Sequence, residues 1–114
     1  MHIQGLYAVV STAEMGRAEA FYTPLLGREP DDRPMDGLIQ WRPTDTAGIQ
    51  VVLDADKAGH SQITIVTPSM ETARADLAGR GLQLGKDIRG DFGIVAQIED
   101  PDRNRLTLAE PPHM

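Results

Sequence analysis

The feature that most limits how this chain can fold is an internal repeat. In the first half an alternating apolar run ends in Val10-Ser-Thr and is followed by Met15 and Ala18. In the second half Val66-Thr-Pro is followed by Met70 and Ala73, with the same three-residue spacing from Met to Ala. Each half then continues with apolar stretches of strand length separated by Gly, Pro and Asp. Self-similarity of this kind means two copies of one supersecondary unit, here strand, helix and three further strands. The expected fold class is therefore α+β, built as two tandem βαβββ modules in a single domain over 1–114, the first spanning about 1–56 and the second about 57–114.

Taken in order, Ile3 to Val10 reads as a strand, and Ser11-Thr-Ala-Glu14 has the spacing of a capping box. A helix carrying Met15, Ala18, Phe21 or Tyr22, and Leu25 on one side should follow, loosening at Pro24 and stopping at Gly27. Arg28 to Asp36, rich in proline and acid, is either an irregular edge strand or a loop. Leu38 to Arg42 and Ile49 to Leu53 are strands joined by a turn across 43–48, and Asp54 to Gly59 is the linker between the modules. Ser61 to Val66 opens the second unit. Thr67-Pro68 then places a capping hydroxyl ahead of a proline at the first helical position. Met70, Ala73 and Leu77 give that helix its apolar stripe, and Gly79-Arg-Gly81 ends it. A weak strand around Asp87 to Arg89, a turn at Gly90-Asp-Phe-Gly93 and a closing hairpin complete the chain. The hairpin's turn is Asp100-Pro-Asp-Arg-Asn104, and alternation resumes at Leu106-Thr-Leu108.

Composition narrows the partners. The 114 residues contain no cysteine, so thiol chemistry and disulfide staples are both excluded. The net charge of −6 repels phosphate backbones, and no cluster of Lys and Arg interleaved with aromatics offsets it, so nucleic acid is not an expected partner. Met1-His-Ile-Gln-Gly5 lacks a basic segment followed by an apolar run and no stretch approaches membrane-spanning length, so neither secretion nor membrane insertion is expected; the expected location is the cytoplasm, with no membrane partner.

Two motifs carry a family resemblance. Asp100-Pro-Asp-Arg-Asn-Arg-Leu-Thr-Leu108 resembles the Asp-Pro-Asp-Gly-Asn-Arg-aliphatic-Glu-Leu hairpin of the vicinal oxygen chelate superfamily, which includes glyoxalase I, extradiol dioxygenases, and fosfomycin- and bleomycin-resistance proteins. Phe21-Tyr-Thr-Pro-Leu-Leu-Gly27 is similar to the segment that closes the first helix in the same superfamily. The resemblance covers nearly the whole chain. It implies curved mixed sheets enclosing a concave ligand cup, and a homodimer. It also assigns the family's four metal-ligand positions to Tyr7, Val52, Gln62 and Thr107. That set holds neither imidazole nor carboxylate, whereas a divalent catalytic site needs about three such ligands. No metal and no cofactor are expected. His2 and His113 lie at the termini and His60 stands where a strand begins, so none rebuilds the site. Glu99, Asp100 and Asp91 are the nearby carboxylates, with Asp100 engaged by its turn.

Side chains two apart in a strand share a face. Leu6, Ala8, Val10, Val51, Leu53, Ile63, Ile65, Leu106 and Leu108 form the face expected under the helices. Tyr7, Val9, Gln50, Val52, Gln62, Thr64, Arg105 and Thr107 form the opposite, mixed face. The candidate ligand-binding residues are thus Tyr7, Gln50, Val52, Gln62, Thr64, Arg105 and Thr107. Trp41 joins them if its strand parity turns it toward the cup rather than into the core. Catalytic residues are not assigned. The reading is a metal-free small-molecule-binding protein that sequesters a small conjugated or aromatic compound, uncharged or weakly cationic. The competing reading is a divergent glyoxalase, dioxygenase or lyase of the same superfamily, and a third is a purely structural dimer.

Overall fold

A computed structural model describes residues 1–112, so His113 lies outside the described residues. The first module contains strand β1 (Leu6–Thr12), helix α1 (Met15–Leu26) and strands β2 (Asp32–Met35), β3 (Leu38–Trp41) and β4 (Ala47–Leu53). The second contains β5 (Gln62–Val66), α2 (Met70–Gly79), β6 (Ile88–Gly90), β7 (Gly93–Glu99) and β8 (Arg105–Glu110). Each module makes one four-stranded sheet, ordered β1-β4-β3-β2 and β5-β8-β7-β6. The last strand of each module returns beside the first and runs parallel to it, while the remaining pairs are antiparallel. This follows from the unit itself: the helical crossover returns the chain so that the second strand runs in the direction of the first, and two hairpin reversals then leave the fourth strand parallel to the first as well. No helix among the described residues is long and apolar enough to cross a membrane.

At both helix starts the cap lies later in the chain than the sequence pattern suggests. Ser11 and Thr12 belong to β1, which begins at Leu6 rather than Ile3 and runs past Val10. Their polar groups serve the junction between modules: the Ser11 N–H donates to Ser61 Oγ (3.2 Å), and the Thr12 hydroxyl donates to Asp102. The cap of α1 is instead Glu14, whose carboxylate accepts from the N–H groups of Gly16 (2.9 Å) and Arg17 (2.8 Å). A carboxylate there also meets the positive end of the helix dipole. In the second module Ser69 caps α2 and accepts from Thr72 N–H (3.1 Å), so Pro68 stands before the cap rather than at the first helical position. Pro24 lies within the last turn of α1, and the stop is at Gly27, whose φ of 71° suits a residue without a Cβ.

The helix-side face is the core. Val10, Val51, Leu106 and Leu108 are buried, with Ala8, Ile63 and Ile65 packed against them, and one apolar cluster spans both modules. Leu6 and Leu53 depart from expectation, being 72% and 52% exposed. Both stand at strand ends, beyond the area covered by helix. Trp41 is fully buried on this same face, beside Ile39, with its ring centroid 6.1 Å from Tyr22 and its indole N–H donating to the Arg28 carbonyl (3.0 Å).

A buried polar cluster fixes the hairpin turn and joins the modules. Asp100 accepts through Oδ1 from the backbone N–H groups of Asp102 and Asn104, and through Oδ2 from the Tyr22 hydroxyl (2.7 Å) and the Asn104 amide (2.9 Å). Asn104 Oδ1 accepts from the N–H groups of Gly59 and Ser61, while its Nδ2 also donates to the Ser11 carbonyl (2.8 Å). Burial first, and then the bond to Asp100, push the Tyr22 phenol well above its ordinary value.

Candidate functional site

The face of each sheet away from the helices is open, and its register sorts the side chains into rows. On the first sheet Val9, Gln50, Gln40 and Asp32 lie in one row across β1, β4, β3 and β2, and Ser11, Val52, Leu38 and Met35 in the next. On the second sheet Gln62, Arg105 and Glu99 form one row, Thr64, Thr107 and Gln97 another, and Val66, Ala109, Val95 and Ile88 a third, apolar one. The rows run from charged through neutral polar to apolar, which gives a ligand on this surface an orientation.

The first sheet carries a connected network. Gln50 Nε2 donates to Gln40 Oε1 (2.8 Å), and Gln40 Nε2 donates to both the Tyr7 hydroxyl (3.0 Å) and Asp32 Oδ2 (3.2 Å). Arg42 pairs with Asp32 at 3.2 Å. Tyr7 stands on β1 opposite Gly48 of β4, yet its hydroxyl reaches Gln40 on β3. The ring crosses β4 over Gly48, where a Cβ would stand 2.5 Å from a Tyr7 ring carbon. Glycine at 48 is what allows Tyr7 to lie flat on the sheet. On the second sheet the tie is looser, a 3.3 Å bond from Gln97 Nε2 to Thr107 Oγ1.

The sequence-derived site residues thus divide. Tyr7, Gln50 and Val52 lie on the open face of the first sheet, and Gln62, Thr64, Arg105 and Thr107 on that of the second. Trp41 does not join them, because its parity and bulk place it under α1. A separate apolar cavity of about 430 Å³ lies at the seam between modules, lined by the core-face residues Leu6, Ala8, Ile49, Ile63 and Ile65 with Leu26 of α1. Asp32, Gln40 and Arg42 were missed. The signal was present: once Trp41 is assigned to the core by its size, Gln40 and Arg42 fall on the open face by alternation.

The donor set does not fit a divalent metal. Tyr7, Val52, Gln62 and Thr107 supply a phenol, an alkyl group, an amide and a hydroxyl. Among the described residues no group of three His, Asp or Glu side chains lies close enough together to hold an ion. Asp100 is consumed by its turn, Asp91 is exposed at the tip of the β6–β7 hairpin, and Glu99 shares a row with Arg105.

No protein-family model matches the sequence, and no curated protein matches it. Solved structures do. A glyoxalase/bleomycin resistance protein from Catenulispora acidiphila is 25% identical and superposes with a TM-score of 0.88, over 96% of this chain and 99% of that one. This chain has the glyoxalase/bleomycin-resistance fold. That agrees with the vicinal oxygen chelate superfamily to which the helix and hairpin motifs point. TnmS3, an antibiotic-binding protein from Streptomyces sp. CB03234, shares 22% identity and a TM-score of 0.78 over 98% of this chain and 97% of its own. A bleomycin-binding protein complexed with bleomycin shares 14% identity and a TM-score of 0.75, over 98% and 100%.

Proposed function

We propose that this chain is a metal-free, cytoplasmic small-molecule-binding protein. In this reading a homodimer brings the open faces together around a small conjugated or aromatic ligand and sequesters it. Both modules, 1–56 and 57–114, act as one binding unit. The observation that carries the reading is the open face itself, a register-ordered surface on which neutral hydrogen-bonding groups lie among a few charged ones, with an alkyl group, an amide and a hydroxyl where metal-dependent relatives place ligands. Such groups orient a neutral ligand without the cost of burying a charge. The fold it shares with an antibiotic-binding protein and a bleomycin-binding protein supports the same assignment. Within one chain Gln62, Thr64, Arg105 and Gln97 are exposed, and in this reading a second copy encloses the face.

Three measurements test it. Light scattering at high micromolar concentration should give a dimer. Elemental analysis after incubation with nickel, zinc, manganese or iron should find well under one ion per chain. Calorimetric titration of neutral aromatic compounds should find ligands whose binding falls about tenfold in Gln62→Leu or Thr107→Val. A ligand bound equally by both variants and by Tyr7→Ala would remove the open face as its site.

A further inference from the structure

The network on the first sheet has a fixed direction, and that direction specifies the ligand's edge. An amide side chain can usually be turned end for end, so which groups donate is ordinarily open. Here Asp32 removes the freedom. A carboxylate beside the Arg42 guanidinium accepts and does not donate, so the Gln40 nitrogen must face Asp32. Gln40 Oε1 must then face Gln50, and Gln50 must turn its own nitrogen inward. The Gln40 nitrogen also meets the Tyr7 oxygen, which accepts from it. Tyr7 is left with its hydroxyl proton unengaged among the described residues, and Gln50 with its carbonyl oxygen. The two partners bracket a single carboxamide, within reach of one small molecule.

Resting on the open-face reading above, we propose that this pair selects a planar, neutral compound whose edge carries a carbonyl acceptor beside an N–H or O–H donor, as in a lactam, a carboxamide or a hydroxy-ketone. The carbonyl takes the Tyr7 proton and the donor meets Gln50 Oε1. Carboxylates are disfavoured, because their second oxygen would face Gln50 Oε1 with Asp32 close by. Asp32 is a positioning residue: it sets the direction of the network without touching the ligand.

The test uses the full-length protein and two fluorescent probes, phenanthridin-6(5H)-one, which presents carbonyl and N–H side by side, and its N-methyl derivative, which keeps the carbonyl and loses the donor. The lactam should bind about tenfold more tightly than the methylated probe, one hydrogen bond's worth. Tyr7→Phe should weaken both probes by about the same factor. Asp32→Asn keeps the shape but lets the amide chain reverse, and should reduce the discrimination between probes to less than about threefold with little change in melting temperature. Equal binding of the two probes to the native protein overturns the edge assignment while leaving the open face as the site. Discrimination that survives Asp32→Asn overturns the directional role of Asp32. Lactam binding untouched by Tyr7→Phe overturns the edge assignment, and the open-face reading falls with it only if Gln62→Leu and Thr107→Val leave binding untouched as well. Failure of both probes to bind overturns the edge assignment, and the open-face reading is then judged by the wider neutral panel.

Discussion

Two carboxamides sit at the centres of two polar networks, and the contrast between them separates what holds this protein together from what it offers to a ligand. Asn104 is 1% exposed, and its two polar atoms meet Gly59, Ser61, Ser11 and Asp100. Gln40 is half-buried and likewise engaged, by Gln50, Tyr7 and Asp32. The difference lies in the next shell. Around Asn104 the partners are backbone groups and a carboxylate whose own acceptors are filled. Around Gln40 the partners are side chains that still carry free donors and acceptors facing outward. A saturated buried network contributes to the fold, whereas an unsaturated one at an open surface is available for recognition.

The largest effect should therefore come from Asn104→Ala. It strands the N–H groups of Gly59 and Ser61, the Ser11 carbonyl and one acceptor site of Asp100 at the junction of the modules. With unmet buried groups costing about 1 to 3 kcal/mol each, partly relieved by water, a loss of about 3 kcal/mol or more is expected in urea unfolding. A loss under about 1 kcal/mol would place the asparagine outside the set of groups that hold the modules.

Tyr22→Phe comes next, at about 1 to 2 kcal/mol from the bond to Asp100, and it carries a pH signature. The Tyr22 phenol is held protonated above its ordinary value near 10, first by burial and then by Asp100. A group whose folded value is raised contributes stability that is complete below the unfolded value and is lost as pH rises past it. Native stability should fall more steeply than that of Tyr22→Phe above about pH 10, with the two profiles parallel between pH 6 and 9. Parallel profiles above pH 10 as well would show that the phenol is less enclosed than its contacts indicate.

A smaller, opposite change is expected at Arg103, a non-glycine residue with φ of 71° in the turn beside Asn104. The hairpin it resembles has glycine there. Arg103→Gly should relieve about 1 to 2 kcal/mol of left-handed strain against about 0.5 to 1 kcal/mol of added chain entropy, raising stability by about 0.5 to 1 kcal/mol. A lower melting temperature would mean that the arginine side chain contributes more than its backbone costs.

The same contrast explains how much could be read in advance. The turn network was legible because its residues are adjacent in sequence: Asp100, Asp102 and Asn104 announce their own geometry. The modules and the parity of β1, β4, β5 and β8 were legible because alternation survives wherever one face is buried. The caps were placed too early because Ser11 and Thr67 suit a helix start in isolation, and only the packing of the two modules keeps Ser11 within β1. Trp41 and Gln40 were the hardest case. They are neighbours on a four-residue strand, one at the core and one at the open face, and a one-residue shift would exchange them. Asp32 lies on a proline-bearing edge strand whose register is irregular even in the structure, so no pattern pointed to it.

The smallest effect on stability should come from Gln40→Leu, the counterpart of Asn104→Ala on the open face. Leucine matches the glutamine in bulk, its row neighbours remain solvated, and Tyr7, Asp32 and Gln50 can each turn to water. The cost should stay within about 0.5 kcal/mol, several-fold below that of Asn104→Ala. Binding should respond in the other direction. Without Gln40, nothing fixes the Tyr7 proton or the Gln50 carbonyl, so the preference for a lactam over its N-methyl derivative should collapse while the melting temperature holds. If Gln40→Leu instead destabilised the protein as much as Asn104→Ala, the open-face network would belong to the architecture, and the distinction between saturated and unsaturated networks would not separate scaffold from site.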